Sequence, residues 1–217
     1  AAFMEILRRY SDTVEQYSID EAFADMTGTE GLFGSPIEAA HRLKDEIRDT
    51  LGFTVNVGIS SNKLLAKMAG DFEKPDKVHT LFPGEIQEKL WPLPVGELFS
   101  VGGASEQKLK RLGIMTIGDL AQADLGTLQA TLKKHGEAIW NYANGRDFSL
   151  VEAERADNKG YGNSVTLSYD VTRAEEAKQV LLSLAETVGR RLRRDGAWIE
   201  VVSVTLLFFD LTNASHQ

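Results

Sequence analysis

The 217-residue chain contains no cysteine, which excludes disulfides and cysteine–zinc sites. No apolar run reaches the roughly 20 residues that cross a bilayer. The start lacks the basic-then-apolar order of a signal peptide, so the expected compartment is cytoplasmic, with no membrane partner. Positive charge is in deficit: 24 Lys and Arg against 32 Asp and Glu leave a net charge of −8. Taken alone, that balance argues against a nucleic-acid partner, because phosphates attract Lys and Arg. An initiator methionine is missing too. The chain opens Ala-Ala-Phe-Met-Glu, already in helical spacing, and closes on a loop-like Asn213-Ala214-Ser215-His216-Gln217. Both ends read as cuts inside a longer protein.

What is present is ordinary for a folded chain, at 42% hydrophobic and 26% charged residues. The basic residues cluster despite the acidic balance. Lys63, Lys67, Lys74 and Lys77 form one group, Lys108, Lys110 and Arg111 a second, and Arg190, Arg191, Arg193 and Arg194 a third. Any one of these fits a solvated helix face, but three in separate segments also fit a phosphate-rich partner.

Apolar spacing predicts a helix over residues 3–10. Alternation predicts strands over 14–19 and 22–26, joined tightly as a hairpin. Ser35 followed by Pro36 is a helix start, serine capping and proline in the first turn. That helix runs to about Thr50 and closes at Leu51-Gly52. A strand over 53–59, a helix over 62–69, a turn at Lys74-Pro75-Asp76-Lys77 and a strand over 78–82 complete an α+β first part, a sheet covered by helices. Pro92 and Pro94 mark a change to short helical pieces over 83–150. Residues 151–160 read as a linker. A strand over 164–169, a long helix over 174–194 and a strand over 198–209 then predict a partial β-α-β unit.

Three features could carry chemistry. Asp20 and Glu21 sit at the hairpin turn, where adjacent carboxylates can serve one site, as they cannot within a regular strand. Their apolar frame, Ile19 before and Ala22 and Phe23 after, makes a cation or donor partner valuable; magnesium is the usual cation for a few carboxylates plus phosphates. A solvated acidic turn is the plainer alternative. Val57 to Gly70 runs from a strand through Ser60-Ser61-Asn62 into a helix flanked by lysines, which suits either a phosphate or an ordinary capped connection. Val101-Gly102-Gly103-Ala104-Ser105 with Lys108, followed by Leu112-Gly113-Ile114, resembles a helix-hairpin-helix, whose glycines let the backbone approach a phosphate. A plain helical turn is the alternative there.

In this order the features resemble the Y-family translesion DNA polymerases, the DinB/UmuC-like group. Tyr17-Ser18-Ile19-Asp20-Glu21-Ala22-Phe23 matches the Ser-Ile-Asp-Glu-Ala signature of the family's palm. Val57 to Ala69 with Lys74-Pro75 matches a second palm motif, and the glycine hairpin matches the thumb. Lys159-Gly160-Tyr161-Gly162-Asn163-Ser164 resembles the start of the little finger. The resemblance implies a partial palm at 1–82, a small all-helical thumb with a helix-hairpin-helix at 83–150, a linker at 151–160 and a partial little finger at 161–217.

It also implies Asp20 and Glu21 as catalytic magnesium ligands in a two-metal site and Lys74 on the incoming deoxynucleoside triphosphate. Val101, Gly102, Gly103, Ser105 and Lys108 would lie on the primer–template DNA, and a sliding clamp would be a partner of the full protein. A further palm aspartate and the fingers would precede Ala1, which predicts an incomplete metal site and an inactive fragment. Ser100 stands where many such hairpins carry glycine. Two other readings are a non-catalytic DNA-binding relative and another phosphoryl-transfer enzyme such as a nucleotide cyclase. The latter leaves the glycine hairpin and the last segment unexplained.

Overall fold

The computed structural model describes residues 2–153 and 158–217. It divides into two compact units, Ala1–Arg155 and Ala156–Gln217. The linker expected at 151–160 falls partly outside the described residues.

In the first unit, α1 (Ala2–Tyr10) buries Met4, Ile6, Leu7 and Tyr10. The hairpin follows as β1 (Thr13–Gln16) and β2 (Ala22–Asp25), antiparallel, with Val14 opposite Ala24 and Glu15 opposite Phe23. Strand alternation divides its two faces. Val14, Ala22 and Ala24 join Met4, Leu7 and Ile47 in one core. Glu15 and Phe23 are left for the other face, where Tyr17 meets Phe23 edge-on at 5.5 Å. A short α2 (Glu30–Phe33) leads to α3 (Pro36–Leu51). Ser35 and Glu38 form a reciprocal capping box, and Gly52 closes the helix at φ 76°, a left-handed turn glycine adopts without cost.

Next, β3 (Val57–Ile59) and β4 (Val78–Thr80) pair in parallel around α4 (Lys63–Gly70). A side chain at Gly58 would collide with the Ala66 carbonyl, so β3 and α4 lie close because that residue has no Cβ. The strand expected over 53–59 keeps only its last three residues. Among the described residues the sheet structure is three separate two-stranded pieces.

Helices dominate from there to residue 143: α5 (Gly103–Arg111), α6 (Ile117–Gln122), α7 (Leu125–Leu132) and α8 (Lys134–Ala143). Thr116 and Asp124 cap α6 and α7 through their side chains. A second core runs through this region and includes α4: Leu65, Leu109, Ile117, Leu120, Leu128 and Ile139 are fully buried within it.

The second unit contains α9 (Ala174–Asp195), β5 (Val204–Leu207) and β6 (Asn213–His216). The fold is the mixed α+β arrangement expected, but the β-α-β order of this last segment is corrected. Residues 164–169 form no strand, and β5 pairs antiparallel with β6, a segment that reads as a loop in sequence. The reason is local. The Asp210 carboxylate accepts from Thr212 N at 2.9 Å, and Phe208 N donates to Thr212 O at 2.9 Å, folding the chain back on itself. A strand at 164–169 has no such adjacent partner. Among the described residues, no helix is long and apolar enough to cross a membrane.

Candidate active site and nucleic-acid interface

The hairpin turn is built on Ser18. The Tyr17 and Ser18 amides both donate to the Glu21 carbonyl, at 3.0 and 3.1 Å, closing the loop. The Ser18 hydroxyl donates to Asp20 Oδ1 at 2.8 Å and accepts from Glu21 N at 3.1 Å. One short side chain thus gathers the two adjacent acids at one rim. Asp20 is exposed and Glu21 half-buried.

A run of alternating charge leads away from that rim. Lys67 on α4 donates to Glu21 Oε1 and, at 3.0 Å, to Asp71 Oδ2. Asp71 Oδ1 in turn pairs with Lys74 Nζ at 2.8 Å. Burial alone would push Lys67 down, but Glu21 and Asp71 outweigh it and hold the ammonium above the ordinary lysine range. Burial would likewise push Asp71 up, but Lys74 and Lys67 hold it below the ordinary carboxylate range. Sequence reasoning named Asp20, Glu21 and Lys74 but missed Lys67 and Asp71 as their connection. The i,i+4 spacing of Lys67 and Asp71 was the available signal.

Among the described residues no three metal-ligating side chains converge. Asp20 and Glu21 supply the hard oxygen donors that a magnesium-like cation takes. Asp20 forms no ion pair among the described residues, whereas Glu21 shares its carboxylate with Lys67. The two acids therefore fit a divalent cation chemically.

The phosphate reading of the α4 N-terminus is corrected. Asn62 Oδ1 accepts from Leu65 N at 2.8 Å, Asp147 Oδ2 accepts from Leu64 N at 3.1 Å, and Asn62 Nδ2 donates to Gly145 O at 2.9 Å. The helix end is already filled by the protein's own oxygens. Two lysines of the basic cluster beside it are likewise paired. Lys63 binds both Glu15 oxygens, at 2.8 and 2.6 Å, and Lys77 pairs with Glu73 at 3.4 Å.

The glycine hairpin is different. Val101 is buried and its amide donates to Leu98 O at 2.9 Å, while Ser100 takes φ 72°, a left-handed conformation. Gly102 opens α5 with no side-chain cap. Gly102 and Gly103 are exposed, and a Cβ on either would meet nothing within 4 Å. Ser105 N donates to Gly102 O at 2.9 Å. Lys108 is exposed and forms no ion pair among the described residues, whereas Lys110 is tied to Glu106 at 2.8 Å. This surface, unlike the end of α4, keeps its helix terminus open.

Three family models match in sequence order: the impB/mucB/samB family over residues 1–71, the DNA polymerase-iota thumb domain over 96–147, and the impB/mucB/samB family C-terminal domain over 158–217. DNA polymerase IV of Clostridium acetobutylicum is 46% identical over 217 residues, all of this chain and 54% of that protein. DNA polymerase IV 2 of Bacillus subtilis is 42% identical over 92% of the chain and 50% of its own length. The chain thus spans about half the length of the curated relatives it matches. Among solved structures, a Y-family DNA polymerase chimera superposes with a TM-score of 0.82 at 27% identity, over 99% of this chain and 62% of its own. DinB from Sulfolobus solfataricus gives a TM-score of 0.63 at 26% identity, over 99% and 62%.

Proposed function

The chain belongs to the Y-family of DNA polymerases, and from that premise we propose that its residues form part of a template-directed polymerase that copies damaged DNA. The observation that carries this reading is the Ser18-centred turn. It gathers Asp20 and Glu21 at one rim and is followed by the Lys67–Asp71 relay to Lys74.

In this reading residues 1–82 are palm, 83–150 thumb, 151–160 linker and 161–217 little finger. Asp20 and Glu21 hold magnesium. When bound, that metal polarises phosphate oxygens and offsets charge at the attacking and leaving oxygens of nucleotidyl transfer. Lys74 attracts the triphosphate of the incoming deoxynucleotide, and Lys67 bridges the Glu21 and Asp71 carboxylates. The open backbone at Gly102 and Gly103, with Lys108, holds a phosphate of the primer–template without reading sequence, while Val101 and Ser105, whose amides are already bonded to Leu98 O and Gly102 O, shape the turn around it. The full natural protein works in the cytoplasm and pairs with a sliding clamp. Asp20, Glu21 and Lys74 together weigh against a non-catalytic relative.

Single-nucleotide incorporation on a primed template in magnesium tests this. In the full natural protein Asp20→Ala lowers the rate by about 10³-fold or more, with template binding retained. Incorporation at an unchanged rate overturns the assignment.

A further inference from the structure

The loop between α4 and β4 carries Lys74, and nothing in the charge relay fixes where its backbone stands. That work falls to a residue outside every motif. Asn56 lies one residue before β3. Its side-chain amide donates to Gly70 O at 3.0 Å and to Glu73 O at 2.6 Å, and its carbonyl oxygen accepts from Lys77 N at 3.1 Å. Both amide hydrogens and the oxygen are thus spent on backbone groups flanking Lys74. Only an uncharged amide of this length supplies two donors and an acceptor there; a carboxylate would face two carbonyls with no proton to give.

The far side of the same loop is held independently. Lys44 on α3, with a side chain only 7% exposed, donates to Asp76 Oδ1 at 3.0 Å, and Arg48 approaches Asp76 Oδ2 at 3.6 Å. Lys77 O accepts from Val57 N at 2.9 Å, joining the loop to β3. The side chain of Lys74 itself is 62% exposed, with Asp71 its one ion-pair partner among the described residues.

We infer that Asn56, with the Lys44–Asp76 pair as its counterpart, is the positioning residue that sets where Lys74 presents its ammonium to the triphosphate. The inference rests on the reading of Lys74 given above. A flexible lysine on a loose loop spends binding energy on ordering the loop; one on a pinned loop does not.

The test is steady-state single-nucleotide incorporation by the full natural protein, varying the deoxynucleotide, with the variants Lys74→Ala, Asn56→Ala, Asp76→Ala and the double variant Asn56→Ala/Lys74→Ala. Lys74→Ala is expected to raise KM for the nucleotide about tenfold, and Asn56→Ala and Asp76→Ala by several-fold, with kcat within about twofold, the pattern of lost nucleotide binding. The decisive expectation is non-additivity: the double variant matches Lys74→Ala alone, because without the ammonium its position is irrelevant. A merely structural Asn56 would add its full effect to that of Lys74→Ala, or would lower kcat instead, and either result overturns the inference. If Asn56→Ala does not fold, Asp76→Ala and the double variant Asp76→Ala/Lys74→Ala carry the same comparison. Lys74→Ala with an unchanged KM would overturn the Lys74 reading itself; a raised KM in Lys74→Ala with none in the loop variants overturns only the positioning claim.

Discussion

The Lys67 ammonium rests on the Glu21 carboxylate, linking α4 to the hairpin turn. A divalent cation approaching Glu21 therefore competes with a charge already there. Lys67→Met removes the competitor and, among the described residues, leaves neither Asp20 nor Glu21 in an ion pair. The half-exposed pair is worth about 1 kcal/mol, so manganese affinity of the Lys67→Met chain should rise roughly fivefold by isothermal titration. Weaker binding in the variant would mean that Lys67 helps to hold the cation's ligands more than it competes.

Asp147 fills the end of α4, far along the chain from the helix it caps. Asp147→Ala removes the acceptor of Leu64 N and the anchor of Ser149. Loss of a helix cap costs about 1 kcal/mol, so the thermal midpoint of the chain should fall by a few degrees. A midpoint unchanged within error would show that water replaces the carboxylate.

Ser100 holds a left-handed backbone at the entrance to the glycine hairpin. Glycine takes that conformation without strain, so Ser100→Gly is expected to stabilise the chain by about 0.5–1 kcal/mol in urea unfolding. Primer–template affinity in the same variant should be retained or improved. Destabilisation would show that the Ser100 side chain contributes more than its backbone costs.

Binding to duplex DNA should weaken steeply with salt and depend little on sequence. Lys108→Ala, which touches no ion pair among the described residues, should weaken it uniformly and lower the slope of log K against log salt by about one. Fluorescence anisotropy across a salt series measures both. An unchanged slope removes Lys108 from the interface.

Stability should decline at both extremes of pH. Tyr10, pushed up to about 12 by burial and then by its hydrogen bond to Glu46, is held neutral in the folded chain. Its contribution is complete below its ordinary value of 10.0 and is lost as pH rises toward 12. The depressed Asp71 acts oppositely: its contribution is complete above 3.8 and is lost as pH falls below that. Tyr10→Phe should flatten the alkaline limb of the melting profile and leave the acid limb in place. An alkaline limb unchanged in that variant would assign it to other groups.

Local chemistry makes much of this legible in the sequence. The Ser35 cap with Pro36 behind it, the Gly52 stop and the hairpin around Asp20 and Glu21 each depend on residues a few positions apart. The failures are long-range. Nothing near Lys63 announces Glu15, and nothing near Leu64 announces Asp147, so lysines and amides that read as open to phosphate turned out to be occupied. The exchange of a β-α-β order for a terminal hairpin has the same origin, since a strand exists only where a partner pairs with it. Asn56 was invisible because its three partners are backbone groups, which carry no sequence signal.

The central claim is that Asp20 and Glu21 are the divalent-cation ligands this chain supplies. Amide NMR spectra of the 217-residue chain, recorded while manganese is added at substoichiometric levels, test it most directly. The signals of Ser18 to Ala22 should broaden first, and Asp20→Asn should abolish that broadening without changing the rest of the spectrum. Broadening that begins elsewhere, or that survives in Asp20→Asn, would contradict it.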